Sequence, residues 1–294
     1  MTKRISAQRP LSRWFALALS VAFLAGCAPL PYAAGPDDDW VEEWLALPMS
    51  VGSEMTVAVI DSGVLDHPVL DGRVVGRWEA ESTAGGSRTS HATEMAGLLL
   101  GVSGADDTSI TKGIRILDVR VLDSKGSGRP VDIAAGIRWA VANRADLILM
   151  SMSISINDPD LEAAVAEAVA CGVTVVASTT NGFSESSSYP AEYPGVIGVT
   201  SVSSNLALAP LAGLRGADIA APGDQVVAAS SGHRFRSISG TSVAAATAVS
   251  VITACQGVRD LDESGVIAYA ENSGAKVASD QRSIPVLRCL KKGK

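Results

Sequence analysis

Three polar residues stand where the chain passes from one kind of element to another, and their types suit one chemistry. Asp61 directly follows the apolar run Thr56-Val-Ala-Val-Ile60 and precedes Ser62-Gly63, so a carboxylate ends an extended segment where the chain turns. His91 opens Ser90-His-Ala-Thr-Glu-Met-Ala-Gly-Leu-Leu-Leu100, a stretch that reads as a helix with an imidazole in its first turn. Ser242 lies in Ile238-Ser-Gly-Thr-Ser-Val-Ala-Ala-Ala246, at the start of an apolar helix whose unpaired backbone N–H groups favour negative charge. A hydroxyl is a weak nucleophile at neutral pH and needs a base to take its proton as it attacks a carbonyl. Each residue alone reads equally well as a cap or a turn residue. Together they order acid, base and nucleophile along the chain.

A fourth group would complete such a site, because the attacked carbonyl oxygen gains charge. Asn181, in Val176-Ala-Ser-Thr-Thr-Asn-Gly-Phe183, follows a strand and can donate its side-chain amide together with the Ser242 backbone N–H. The other two histidines, His67 in Leu65-Asp-His-Pro68 and His233 in Ser230-Ser-Gly-His-Arg-Phe235, sit in loop-like surroundings and are weaker candidates for a base.

The elements that must position these groups alternate two periodicities. Apolar runs at 56–60, 114–122, 147–150, 173–177 and 196–200 read as strands, and 131–143 and 160–171 read as helices, the second closed by Gly172. Strand, helix, strand in repetition predicts an α/β fold: a parallel central sheet with helices on both faces, a three-layer sandwich. In such a sheet functional groups collect at the carboxyl ends of the strands, where Asp61 falls.

Length and composition fit one domain of fair size. The chain has 294 residues, 47% of them apolar, with 28 glycines. Residues 1–26 read as an export signal: Lys3, Arg4, Arg9 and Arg13 precede an apolar run too short to favour a spanning helix. The following Leu24-Ala25-Gly26-Cys27 resembles the bacterial lipobox, in which the cysteine is lipidated and becomes the mature N-terminus. On that reading the protein is held to a membrane through Cys27, in the cell envelope and outside the cytoplasm. Residues 27–54, with Pro29, Pro31, Pro36 and Asp37-Asp38-Asp39, read as a tether and N-terminal segment, and 55–290 as the folded domain. Removing the four basic residues of the signal takes the net charge from −7 to −11. An acidic surface argues against nucleic acid as a partner.

Of the remaining cysteines, Cys171 reads as a small buried residue, while Cys255 and Cys289 either pair or stay free. No CxxC spacing suggests a metal site. No cofactor is expected; calcium at Asp106-Asp107 would rest on two carboxylates without a ligand pattern.

Residues from about 55 to 255 resemble the subtilisin-like serine proteases, the subtilases. Ala58-Val-Ile-Asp61-Ser-Gly63 is similar to the family's aspartate motif, His91-Ala-Thr-Glu-Met-Ala-Gly97 to its histidine motif, and Gly240-Thr-Ser242-Val-Ala-Ala245 to its serine motif. Ser151-Met-Ser-Ile154, Tyr189-Pro-Ala-Glu-Tyr-Pro-Gly-Val-Ile197 and Ile219-Ala-Ala-Pro-Gly223 match connecting segments in order. The resemblance implies a serine endopeptidase forming an acyl-enzyme, with Asp61, His91 and Ser242 catalytic and Asn181 at the oxyanion. It also implies a peptide or protein substrate laid as an added strand beside Ser127 and Gly128 and beside Ser153, Ile154 and Ser155. The protein is expected to act as a monomer. The alternative is a catalytically impaired relative that keeps the fold to bind peptides or scaffold an envelope complex.

Several residues depart from the family's pattern. Ala92 and Thr180 replace glycines beside the base and the oxyanion asparagine, Glu94 replaces a histidine, and Ala246 replaces a proline. Ser155 replaces a glycine that lines the first specificity pocket, which predicts a narrower pocket for a small side chain. Residues 28–54 are too short for an independently folded propeptide, so the domain is expected to fold unaided or with a separate helper.

Overall fold

The strands that alternate with helices in the sequence assemble into one seven-stranded parallel sheet in the computed structural model, which describes residues 54–101, 113–182, 186–255, 258, 260–279 and 282–289. These all belong to one unit, Tyr32–Lys294. The expected signal, the expected lipidation site Cys27, most of the expected tether and Asp106-Asp107 lie outside the described residues. The strands are β1 (Met55–Asp61), β2 (Val74–Glu79), β3 (Ile114–Arg120), β4 (Leu147–Met150), β5 (Thr174–Ser178), β6 (Val196–Val202) and β7 (Ile219–Pro222). Their order across the sheet is β2-β3-β1-β4-β5-β6-β7.

Side chains along a strand point to alternate faces, and β1 shows what each face meets. Val57 and Val59 pack with the helices α1 (His91–Leu99) and, further along the chain, Thr241–Ala254. Ala58 and Ile60 pack on the opposite side with α2 (Pro130–Ala142) and α3 (Pro159–Ala170). Burial on both faces explains why these strands read as continuous apolar runs. Both α2 and α3 start on a proline, whose missing N–H costs nothing at the first helical position. Asp158 caps α3 by accepting from the N–H groups of Asp160 and Leu161. Gly172, at φ 78°, ends α3 in a left-handed turn, with Val173 N–H returning to the Ala168 carbonyl at 3.1 Å.

Helix α4 (Thr241–Ala254) runs through the core, with every residue but Ser242 buried. The run Ala244, Ala245, Ala246 and Ala248 keeps its radius small enough to lie between α1 and the sheet strands. Beyond it, α5 (Glu263–Asn272) adds Val266 and Ala270 to the same cluster. Two antiparallel hairpins, β8 (Val226–Ser230) with β9 (Arg234–Ile238) and β10 (Lys276–Ala278) with β11 (Ser283–Pro285), complete the described structure. The chain after β11 lies along the edge strand β7, where Leu287 N–H donates to the Ala220 carbonyl at 2.9 Å and blunts that edge. Among the described residues no helix is long and apolar enough to cross a membrane.

Cys255 and Cys289 are joined as a disulfide, their Cα atoms 5.5 Å apart, tying the end of α4 to this terminal segment. Cys171 overturns its expectation: it is exposed. Leu161, Ala164, Val165 and Ala168 form the buried stripe of α3, and Cys171 lies past its end, at the helix terminus that faces solvent. The bridge closes a loop of 34 residues, so chain-entropy arguments give it about 3–4 kcal/mol. Cys255→Ser together with Cys289→Ser is expected to lower denaturant-measured stability by about that amount. Equal unfolding midpoints with and without reductant would show that the bridge contributes nothing.

Candidate active site

Sheet order places the carboxyl ends of β3, β1, β4 and β5 side by side, and the chain leaving each carries one part of the expected site. Asp61 ends β1, residues 123–128 follow β3, residues 151–155 follow β4, and Asn181 follows β5. His91 and Ser242 arrive on the first turns of α1 and α4. Neighbouring strands lie about 4.8 Å apart, so adjacency in the sheet alone brings residues far apart in sequence, such as Val57 and Leu147, within one side chain's reach.

The acid and the base are joined. Asp61 is 1% exposed, and the His91 Nδ1 lies 2.8 Å from its Oδ2 and 3.0 Å from its Oδ1. A carboxylate only accepts, so Nδ1 carries the proton and Nε2 presents a lone pair. Ser62 N–H donates to Asp61 Oδ1 at 2.6 Å, which fixes the carboxylate's rotation. The Asp61 charge raises the His91 pKa above its ordinary value and outweighs the ring's partial burial; Glu94 acts in the same direction and Arg236 opposes it.

The hydroxyl is held one strand away. Ser242 Oγ donates to the Ser151 carbonyl at 2.8 Å, and among the described residues no hydrogen bond links it to His91. Ile60 pairs with Met150 across β1 and β4, which sets Ser151 level with Asp61. The imidazole and the hydroxyl thus hang from adjacent strand ends. In unliganded sites such contacts are often longer than in the reacting complex.

The asparagine is oriented by its neighbour in α4. Thr241 N–H donates to Asn181 Oδ1 at 2.9 Å, while the Thr241 hydroxyl lies 2.6 Å from the Thr179 carbonyl. With Oδ1 occupied, the amide nitrogen Nδ2 is left as a donor and has no partner among the described residues. The Ser242 N–H, in the first helical turn, likewise has no helical carbonyl behind it. Gly240 permits this approach: its φ is 152°, and a Cβ there would come within 3.2 Å of Asn181 Oδ1.

The departures from the family's pattern have structural partners. Glu94, buried, accepts from Ser230 Oγ at 2.9 Å and from Arg236 Nε at 2.8 Å, so it fastens α1 to the β8–β9 hairpin. Thr180 and Ser188 place their hydroxyls 2.6 Å apart, and Thr180 N–H donates to Ser188 Oγ. Ala92 is buried in the core under α1, and Ala246 lies inside α4, which starts at Thr241 without a proline.

The expected substrate segments are also located. Ile154 exchanges backbone hydrogen bonds with Tyr189 at 2.7 and 2.9 Å in an isolated bridge, and Ser153 and Ser155 flank it. Ser127 is exposed and Gly128 half-buried in a loop closed by Asp123, which accepts from the N–H groups of Lys125 and Ser127. His67 and His233 meet each other, ring centroids 5.9 Å apart, and neither bonds to Asp61. No group of three or more metal-ligating side chains occurs among the described residues. Ser151, Thr179 and Thr241 carry no role in the sequence reading of the site, although Ser151 and Thr241 fall within the segments that resemble the family.

Fold and site together define an α/β protein with an acid–base pair on the carboxyl edge of a parallel sheet, beside a serine on a helix N-terminus. Residues 52–278 match the Peptidase S8 Subtilase family, and the chain belongs to that family. It is 32% identical over 236 residues to thermitase of Thermoactinomyces vulgaris, covering 77% of this chain and 83% of that protein. It is 32% identical over 197 residues to the thermostable alkaline protease of Halalkalibacterium halodurans, covering 66% of this chain and 54% of that protein. The chain thus spans about half the length of the latter, as it does of subtilisin E from Bacillus subtilis, at 53%. A crystal structure of a cold adapted subtilisin-like serine proteinase superposes with a TM-score of 0.71 at 24% identity, covering 84% of this chain and 92% of that one, which establishes the fold.

The imidazole of His91 is expected to titrate above 6.5 in an NMR pH series, because the Asp61 charge favours its protonated form. Asp61→Asn removes that charge, and the midpoint should fall. A midpoint unmoved by the substitution would break the assigned coupling.

Proposed function

We propose that this subtilase is a serine endopeptidase that cleaves peptide bonds through an acyl-enzyme. The observation that carries the reading is the buried Asp61 carboxylate holding His91 Nδ1 at 2.8 Å, one strand from Ser242. In this reading Ser242 Oγ attacks the scissile carbonyl carbon while His91 Nε2 takes its proton. Asn181 Nδ2 and the Ser242 N–H receive the charge that develops on the carbonyl oxygen. As the tetrahedral intermediate collapses, His91 passes the proton to the leaving amine; water then enters, loses a proton to His91 and attacks the acyl carbon, and His91 returns that proton to Ser242 Oγ as its bond to the acyl group breaks. In this reading the peptide lies as an added strand between residues 123–128 and 153–155.

A second reading is favoured by one observation, the Ser242 hydroxyl bonded to the Ser151 carbonyl and not to His91. Held that way, the site binds peptides without cutting them. A fluorophosphonate probe separates the two: covalent labelling of wild type, abolished by Ser242→Ala with the thermal transition retained, supports the peptidase. An unlabelled, folded wild type supports the binding module. Asn181→Ala is expected to lower kcat by roughly 10²- to 10³-fold with little change in KM.

We also propose a lipid anchor at Cys27, supported by the Leu24-Ala25-Gly26-Cys27 sequence and by a disulfide suited to an oxidising compartment outside the cytoplasm. Mass spectrometry of the mature N-terminus is expected to find an acylated cysteine. An unmodified residue after position 27 would remove the anchor.

A further inference from the structure

Behind the Asp61–His91 pair, on the side away from Ser242, lies a cluster of buried charge that the reaction does not use. Arg120 ends β3 in register with Asp61, and it is the largest of the fully buried side chains, 2% exposed. Its Nη1 donates to Glu79 Oε1 at 2.7 Å, and its Nη2 donates to the Ser87 carbonyl at 2.9 Å. Arg88, the next residue after Ser87, donates from Nη1 to Asp118 Oδ2 at 2.9 Å and places Nη2 3.6 Å from Glu79 Oε2. Asp118, 1% exposed on β3, also accepts from Arg77 Nη1 at 2.6 Å and from the Val64 N–H at 2.9 Å. One residue further, Thr89 Oγ1 donates to Ser62 Oγ at 2.7 Å.

Three consecutive residues, Ser87, Arg88 and Thr89, are therefore each fastened to an element that holds Asp61: β3 twice, and the turn after β1 once. They immediately precede Ser90 and His91, and Ser90 supplies no side-chain cap to α1. The strap thus sets where the first turn of α1 begins. The fit is close, since a Cβ on Gly63, two residues after Asp61, would lie 2.5 Å from Arg88 Nη1. Burying several ions is a poor route to stability, because apolar side chains of like volume serve as well or better; directional contacts of this kind fix geometry.

We propose that Arg88 and Arg120 are positioning residues for the acid–base pair, acting through residues 87–89 to hold the His91 ring against the Asp61 carboxylate. This rests on the proposed triad. The groups that face His91 are Asp61 from β1, Glu94 from its own helix and Arg236 from β9, and neither arginine of the strap touches the ring. Their effect is transmitted by backbone position.

The test compares three full-length variants: Arg88→Ala, Arg88→Lys, and Arg88→Met combined with Asp118→Asn. The double variant removes charge on both sides, so that no buried carboxylate loses its partner. Loss of the strap should lower kcat on the order of 10²-fold with KM changed by less than about threefold, as expected for slight misplacement of a reacting group. The acid limb of the kcat profile and the NMR midpoint of His91 should both move down toward 6.5 as the ring leaves Asp61, and Arg88→Lys should restore part of each. The idea fails if folded variants keep kcat and the His91 midpoint, or if they lose only thermal stability, or if KM alone changes. Because the NMR midpoint needs no turnover, an inactive wild type would refute the peptidase reading while the positioning role is still read from His91.

Discussion

A hydrogen bond from an imidazole to a buried carboxylate is the contact on which the arrangement turns. Asp61 is almost without solvent, and a carboxylate there needs donors to stay charged; it has the Ser62 N–H and His91 Nδ1. That demand fixes the tautomer of His91, and the tautomer decides which ring nitrogen faces outward to accept a proton. The position of Asp61 depends on β1 being central in the sheet, with β3 and β4 on its flanks. The position of His91 depends on α1 packing over β1 and β8 and on the loop that delivers its first residue.

The same logic extends to the other half of the site. Thr241 bonds to Asn181 and to the Thr179 carbonyl, so Asn181 and the first turn of α4 are one unit. Ser242 follows at once and meets the Ser151 carbonyl. Two rigid couples, Asp61 with His91 and Asn181 with Thr241, are thus set at the ends of β1 and β5, and the serine hydroxyl meets the end of β4, the strand between them. Preorganisation of this kind places donors before substrate arrives, which is where electrostatic stabilisation gains most.

Much of this was legible in the sequence because periodicity and position carried it. The run at 147–150 and Gly172 read as they stand in the structure, and the strands at 56–60 and 196–200 were found short by one or two residues. Asp61, His91, Asn181 and Ser242 were visible because each sits at an element boundary. Other features left no such trace. Val74–Glu79 is half-exposed and broken by Gly76, where the ladder with β3 shifts and a Cβ would strike Leu117, so it shows neither an apolar run nor clean alternation. The charged strap is invisible in sequence because Arg88, Arg120, Glu79 and Asp118 look like ordinary solvated residues until the sheet buries them together. Cys171 misled because its apolar neighbours suggested burial, whereas the helix ends beneath it.

The disulfide between Cys255 and Cys289 carries a consequence for how the chain would withstand cleavage of its backbone. Everything from residue 256 to residue 288 is enclosed in a covalent ring, so a single nick anywhere within it leaves the terminal segment attached. The cover over β7 would stay in place, and with it the far end of the helix that presents Ser242. Damage of that sort would change the mass of the molecule by one water and leave its working surface standing.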